Sequence, residues 1–510
     1  MRDELERWAN LHGSKTAIAM ADGSGSYSFS ELDERANAIC EIIRSAGLHE
    51  GEAIGLLTEN DIQTVAWWWG GRRAGVYFVP IATRLLAREI DYIVNDSRMR
   101  LLVASPAYMD LAAQVTRETN IAVCSSHAVP DASAGPLQRE AASLVGREII
   151  YSSGTTGRPK GVRRALVKVG EAALPELEVR MRQIYGYDED TVYLSASPLY
   201  HATGRFLTRV LEAGGTVVIL PRFDPLDALQ AIEQHKVTHS QWVPTMFRRL
   251  LDLPKAVRGR FDLSSLKVAL HAAAPCPTAV KQAMIDWWGP IVHEYYGGTE
   301  NAGVTYIEAR EWLEHPGSVG RSISGAIHIL DQENPERELP PGELGLITFE
   351  GGVPFQYTLP GGKLADNASP QGYTGYGDIG SVDEDGYLYI SDRRDDLIIS
   401  GGVNIYPREV EAALEPCAAI AEVAVIGLPH ADFGQLVCAV VVPAEDVDGD
   451  IRKIVSDYAR TVLSPLKIPR EVFVAQDLPR NETGKLLKRV LRDHYAKQRD
   501  EPVGGTRFDR

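Results

Sequence analysis

Residues 148–162 constrain this chain most tightly. The apolar run Glu148-Ile149-Ile150 passes into Tyr151-Ser152-Ser153-Gly154-Thr155-Thr156-Gly157-Arg158-Pro159-Lys160-Gly161-Val162, which crowds hydroxyls, glycines and a lysine into twelve residues. Glycines let backbone N–H groups turn toward an anion, hydroxyls add donors and reach a cation, and the lysine supplies a point charge. That composition is a phosphate cradle. It is not a Walker A element, which needs four residues between its glycines and then Lys-Ser or Lys-Thr; here Gly157 and Gly161 enclose three residues and Val162 follows. The bland alternative is a flexible surface loop, and the ordered Thr-Thr-Gly-x-Pro-Lys-Gly continuation argues against it.

Around this loop the first 150 residues alternate β-branched runs with helical patterns. Thr16–Met20 reads as a strand, 21–26 as a turn, and Ser30-Glu31-Leu32-Asp33 as a capping box opening a helix through Leu32, Ala36, Ile39 and Ile43 to Gly47. Strands follow at 53–57 and 76–80, and Trp67-Trp68-Trp69 sits in the helix between them as core. Strand–helix alternation predicts a parallel sheet covered by helices. Proline and glycine density rises between Asp331 and Gly377, which suggests short strands and turns in a small barrel or sandwich. After Asp392-Arg393-Arg394-Asp395-Asp396 the pattern becomes compact α+β, with strands at 421–426 and 436–442 and a helix through Ile451, Ile454, Val455, Tyr458 and Val462. The expected fold class is therefore α/β. A large N-terminal domain of helix-covered sheets, residues 1–394, carries a small β-barrel-like subdomain, and a small mobile α+β domain, residues 395–510, follows.

A chain of 510 residues exceeds what one hydrophobic core usually supports. Its five cysteines are scattered and show no Cys-x-x-Cys spacing, which argues against a disulfide framework or zinc site and fits a cytoplasmic location. The N-terminus lacks an apolar signal region, and Arg72 and Arg73 interrupt the richest apolar stretch, so no membrane span is expected. A formal charge of −16 makes nucleic-acid binding an improbable role, and a polyanionic cofactor has to be held by local loops and cations.

Four segments then line up in order: the loop at 151–162, Tyr296-Gly297-Gly298-Thr299-Glu300, the segment from Gly377-Asp378 to Glu411, and Pro479-Arg480-Asn481-Glu482-Thr483-Gly484-Lys485. Together they resemble the successive core motifs of the adenylate-forming acyl-CoA synthetase superfamily, over essentially the whole chain. The segments 70–97 and 314–321 look most like medium-chain, long-chain and bile-acid or steroid-acid CoA ligases. The resemblance implies that a carboxylate is joined to the α-phosphate of ATP, expelling pyrophosphate, and that the acyl group then passes to coenzyme A.

It also implies roles residue by residue. Ser152, Ser153, Gly154, Thr155, Thr156, Gly157 and Lys160 would surround the β- and γ-phosphates. Glu300 with Thr155 would hold Mg2+, a hard cation that prefers oxygen ligands, and Thr299 would donate to the α-phosphate. Asp378 would accept from the ribose hydroxyls and Arg393 would reach the ribose or phosphate. Tyr296 and Gly297 would offer a flat face to adenine, with Ala272, Ala273, Ala274 and Pro275 opposite. Lys485 would be the catalytic lysine, bridging carboxylate and α-phosphate as charge develops. Asp395 matches the hinge about which the C-terminal domain rotates, and Gly401 and Gly402 match the pantetheine tunnel. One departure stands out: most relatives carry a threonine before the Gly-Asp pair, and this chain carries Tyr376.

The acyl site is read from His201, which matches a family position near the substrate carboxylate, and from the small residues Ala202, Gly204, Ala272, Gly298 and Ala302 around it. Small linings leave room for a bulky or long apolar acid, and no base or acid dedicated to a second polar group stands out. Three alternatives stay open: an aryl-acid CoA ligase, a ligase handing the adenylate to a carrier-protein thiol or an amine, and a non-catalytic nucleotide sensor. The last is disfavoured by Glu300, Asp378, Arg393 and Lys485 occurring together. The partners implied are the acid, ATP and CoA; a homodimer is one option for the oligomeric state.

Overall fold

The computed structural model describes residues 3–498 apart from 118, 120, 130–141, 153–159, 171–175, 202–203, 299–301, 353–355, 359–363, 367, 394–395, 401–402, 431–432, 446, 448, 466 and 482–483. Among the described residues a nine-stranded sheet runs in the order Arg321–Ser322, Val304–Ile307, Val292–Gly297, Val268–His271, His239–Trp242, Val192–Ser195, Thr216–Ile219, Thr16–Met20, Ser26–Ser28. Its centre is parallel and its two rims are antiparallel. A second, all-parallel sheet of five strands is built on Ala53–Leu57. All five residues of that strand are buried, as expected where helices cover both faces of a parallel sheet.

Strand Thr16–Met20 joins the nine-stranded sheet, aligning Ile18 with Val217, and does not pair with Ala53–Leu57. Alternation in sequence identifies a strand but not its neighbour. The helix that follows spans Phe29–Ser45, and its capping box is Ser28 with Glu31, not Ser30 with Asp33. Ser28 Oγ accepts from the Glu31 N–H at 3.3 Å, while Glu31 Oε2 accepts from the Ser28 N–H at 2.8 Å. Phe29 is fully buried, which starts the helix two residues earlier than the apolar pattern alone suggests.

Helix Ile62–Ala74 is capped by Asp61 and ends at Gly75 in the left-handed region. Its three tryptophans are buried, and the Trp67 indole donates to the Ser126 carbonyl at 3.0 Å. No helix among the described residues is long and apolar enough to cross a membrane.

The proline- and glycine-dense segment contributes to a four-stranded antiparallel sheet: Ile327–Leu330, Gly345–Phe349, Asp378–Val382 and Leu388–Arg393. Beyond it, strands Ile398–Ser400, Val403–Ile405, Ile420–His430, Gly434–Pro443 and Glu471–Val474 form a separate sheet. Helices Pro407–Leu414 and Ile451–Val462 cover one face of it through Val410, Leu414, Val425, Val437 and Val455. Helix Lys488–Gln498 covers the other through Leu491 and Tyr495.

Candidate active site

The phosphate-cradle sequence is flanked by a hairpin. Strands Ile150–Ser152 and Lys160–Val162 pair antiparallel, with Lys160 opposite Ser152 and Gly161 opposite Tyr151. Ser153, Gly154, Thr155, Thr156 and Gly157 lie outside the described residues, as do the side chains of Ser152 and Lys160. The Tyr151 hydroxyl donates to Asp96 Oδ2 at 2.6 Å, which ties the root of the hairpin to the helix Ala87–Ser97.

The residues expected to hold the nucleoside converge. Strand Val292–Gly297 ends in Tyr296, whose hydroxyl donates to Asp378 Oδ2 at 2.6 Å. Asp378 opens its own strand, is 4% exposed, and is paired in register with Arg393 on the next strand. Register thus brings together two residues fifteen positions apart. On the neighbouring strand, Val268–His271 runs into Ala272, which is buried, and Ala273, which has φ of 76°. A non-glycine residue in the left-handed region is strained, and such strain persists where the surroundings hold it, commonly at functional sites.

Tyr376, the departure from the motif, is fully engaged. Its hydroxyl donates to the Gly303 carbonyl at 2.7 Å and accepts from the Gly303 N–H at 3.1 Å, and its ring stands edge-on to Tyr296 at 5.6 Å. Thr374 adds a bond from its hydroxyl to the Ala302 carbonyl at 3.2 Å. Only glycine fits at 303, because a Cβ there would come within 2.1 Å of the Phe349 ring. Ala302 and Gly303 are therefore clamped directly after 299–301. Thr299 and Glu300 themselves lie outside the described residues. Sequence reading flagged Tyr376 as unusual but could not supply its partner.

Beneath these strands sits a buried charge pair that sequence reading missed. Lys281 Nζ lies 2.6 Å from Glu294 Oε2, with both side chains less than 10% exposed, and His271 Nε2 lies 3.5 Å from the same oxygen. Burial pushes the Glu294 carboxyl up and the Lys281 ammonium down, each opposed by the partner's charge. His271 is held well below the usual imidazole range, first by burial and then by Lys281. The pair links helix Thr278–Trp288 to strand Val292–Gly297, just under Tyr296.

His201 follows a segment fixed by Asn60. That buried amide donates to the carbonyls of Ser197 at 3.2 Å and Leu220 at 2.9 Å, and accepts from the Leu199 N–H at 2.8 Å. Burial lowers the His201 pKa to about 4, so its ring is neutral near pH 7, and it meets the Tyr200 ring edge-on at 4.7 Å. Gly204 opens helix Gly204–Glu212, and Ala302 is buried, whereas Ala202 lies outside the described residues. Ala274, Pro275, Gly297 and Gly298 continue the two strand ends that carry Ala273 and Tyr296.

Lys485 sits in a closed turn: its N–H donates to Asn481 Oδ1 at 2.8 Å and its carbonyl accepts from the Asn481 N–H at 2.9 Å. Gly484 has φ of 75°, and a Cβ on it would lie 2.4 Å from Thr245 Oγ1. The Lys485 turn therefore rests against the start of helix Pro244–Asp252, across from its own sheet. A second bridge runs from Gln332 Nε2 to the Tyr406 hydroxyl at 3.1 Å. Asp395, Gly401 and Gly402 lie outside the described residues; the strands beside the glycines pair Ser400 with Val403.

The sequence matches the family model of AMP-binding enzymes over residues 5–356 and that of the AMP-binding enzyme C-terminal domain over residues 409–485. A feruloyl-CoA synthase from an Amycolatopsis species is 32% identical, over 94% of this chain and 96% of its own length. A long-chain-fatty-acid–CoA ligase from Mycobacterium tuberculosis is 29% identical, over 92% of this chain and 93% of its own. Among solved structures, ATP-bound MatB from Rhodopseudomonas palustris superimposes with a TM-score of 0.80 at 29% identity, covering 97% of this chain and 99% of that one.

Proposed function

The chain belongs to the AMP-binding enzyme family as an AMP-forming acid–thiol ligase that uses ATP and CoA, and from that premise we propose that it activates a bulky apolar carboxylic acid through an acyl-adenylate. The observation that carries this reading is the convergence of Tyr296, Asp378 and the strand position of Arg393 with the docked Lys485 turn. Asp378 accepts the ribose hydroxyls, a role its buried carboxylate suits, and Tyr296 yields its hydrogen bond as the nucleoside enters. Arg393 contacts the ribose or phosphate, and Ala272 to Pro275 close the other side of adenine.

The cradle residues Ser152 to Gly157 and Lys160 hold the β- and γ-phosphates. Thr299 donates to the α-phosphate, and Glu300 with Thr155 would hold Mg2+, which would supply charge to offset that growing on phosphate oxygens. Lys485 bridges the attacking carboxylate and the α-phosphate, and its turn resting on Thr245 suits that step. Thioester formation follows when the C-terminal domain, residues 395–510, rotates about Asp395 away from residues 1–394 and brings Gly401 and Gly402 to the pantetheine arm. His201, neutral above its lowered pKa, stands beside the carboxylate without repelling Lys485.

The test is mass spectrometry of products after incubation with ATP, Mg2+, CoA and a panel of fatty, aryl and steroid-type acids. An acyl-CoA product is expected; acyl-AMP alone would move the assignment to a ligase with another acceptor. In the same assay Lys485→Ala is expected to lower adenylation by about two to three orders of magnitude while largely sparing thioester formation from supplied acyl-AMP. Equal loss of both half-reactions would refute the division of labour.

A further inference from the structure

The turn that carries Lys485 is tied to the C-terminal sheet by two ion pairs of different kinds. Before the turn, Arg480 donates to the Gly484 carbonyl at 2.9 Å and to Glu422 Oε2 at 2.6 Å, and that pair is about one-third exposed. After it, Lys488 Nζ lies 2.9 Å from Glu411 Oε1, and these side chains are 10% and 4% exposed. An exposed pair holds weakly, because water and salt screen it. A buried pair is costly to separate, because each charge would be left without water or partner.

Local chemistry does not favour Lys488 where it stands. It is the first residue of helix Lys488–Gln498, whose first turn has no acidic residue. The unpaired N–H groups of a helix N-terminus make it electropositive, so a lysine there is opposed by its own helix. Glu411 supplies the missing negative charge from another element. The same oxygen accepts the Val425 N–H at 2.8 Å, which fixes the carboxylate to strand Ile420–His430. A local rule broken at a buried position, and answered by a distant residue, is a mark of a functional constraint.

Glu411 belongs to helix Pro407–Leu414, and that helix reaches the N-terminal domain. It packs against strand Leu388–Arg393, and Tyr406 at its N-cap accepts the bond from Gln332. The Arg408 guanidinium is near enough for its charge to act on the Cys276 thiol. Cys276 directly follows Pro275, the last residue of the expected adenine wall. One helix thus meets the nucleotide side at Arg408 and, three residues on, grips the root of the Lys485 turn at Glu411.

We propose that Glu411 and Lys488 are positioning residues for adenylation: their buried pair carries the placement of helix Pro407–Leu414 against the nucleotide side through to Lys485. Neither touches substrate. The pair sets where the Lys485 ammonium stands while the domains are docked, and it has no part in thioester formation. This rests on the role of Lys485 proposed above. A charge stabilises a transition state only from the right place, and a misplacement of about 1 Å can cost about a hundredfold in rate.

The test measures the half-reactions apart, as ATP–pyrophosphate exchange and as thioester formation from supplied acyl-AMP, with whichever of decanoate, 4-hydroxycinnamate and cholate drives the fastest exchange. Lys488→Met and Glu411→Gln are each expected to lower kcat of exchange by about ten- to a hundredfold, with KM for ATP and the thioester step within about twofold. A retained thioester step shows that the C-terminal domain is folded, whereas a merely structural role would depress both steps together. With Lys485 already replaced by alanine, Lys488→Met is expected to cost no more than about twofold further, because residues acting as a unit are not additive. Should Lys488→Met not fold, Lys488→Arg keeps the charge and moves its head: a loss of about threefold or more from exchange alone supports the inference, and an unchanged rate overturns it. Equal loss in both steps, a raised KM with kcat unchanged, or full additivity with Lys485→Ala would overturn it and leave the ligase reading standing. No exchange by the unaltered protein with any acid of the panel would overturn both.

Discussion

The two faces of strand Val292–Gly297 are built on opposite principles. On the Tyr296 face three described hydroxyls each have an acceptor: Tyr296 on Asp378, Tyr376 on Gly303, Thr374 on Ala302. On the Tyr295 face the Tyr185 hydroxyl is sealed in with no acceptor among the described residues. The nucleotide is the same molecule in every turnover, so its side can be prepared by the protein's own bonds. The acid is what distinguishes one ligase from another.

The largest effect should come from breaking the charge pair that anchors this strand. Lys281→Met leaves Glu294 buried without its cation, which costs about 3–5 kcal/mol; a denaturant midpoint shift of that size is expected, with ATP and acid binding weakened together. Loss of one ligand's binding alone would show that the faces are not coupled through this strand. Tyr376→Phe removes both bonds to Gly303 and acts on the nucleotide face only. About a tenfold rise in KM for ATP is expected, in line with one to two lost hydrogen bonds, with the ranking of acids unchanged. A changed acid preference would erase the distinction.

A third effect is a pH dependence centred on the Tyr295 side. Burial lowers His201, His239 and His293 to about 4. His239 is fixed as a neutral ring, with Nε2 on the Tyr185 carbonyl at 2.9 Å and Nδ1 beside the Thr238 hydroxyl at 2.8 Å. Unfolded histidines bind protons near pH 6.5 and the folded ones do not, so the unfolded state binds more protons between these values. Stability is therefore complete above about pH 6.5 and declines as pH falls toward 4. Thermal melts from pH 7.5 to 5 should show the decline, and His239→Asn should make it shallower by about a third. A flat profile for the unaltered protein would mean these rings are not held neutral.

Much of this was legible in the sequence because it depends on local chemistry. Helix Ile451–Val462 matches its apolar pattern, and Tyr296, Asp378 and Lys485 stand in motifs whose order and composition point to a phosphate reaction. Even there the helix start at Phe29 was misjudged by two residues, since Ser28 and Ser30 are equally good caps and only the burial of Phe29 chooses between them.

What only the tertiary structure decided are relations between residues remote in sequence. The sheet that strand Thr16–Met20 joins, the seat of Gly484 on Thr245, the Lys281–Glu294 pair and the clamp from Tyr376 to Gly303 all belong here. Residue type and spacing report what a side chain is able to do. Whether a tyrosine has its partner, or a lysine its water, depends on which distant segments close around it, and that is a property of packing which no local pattern contains.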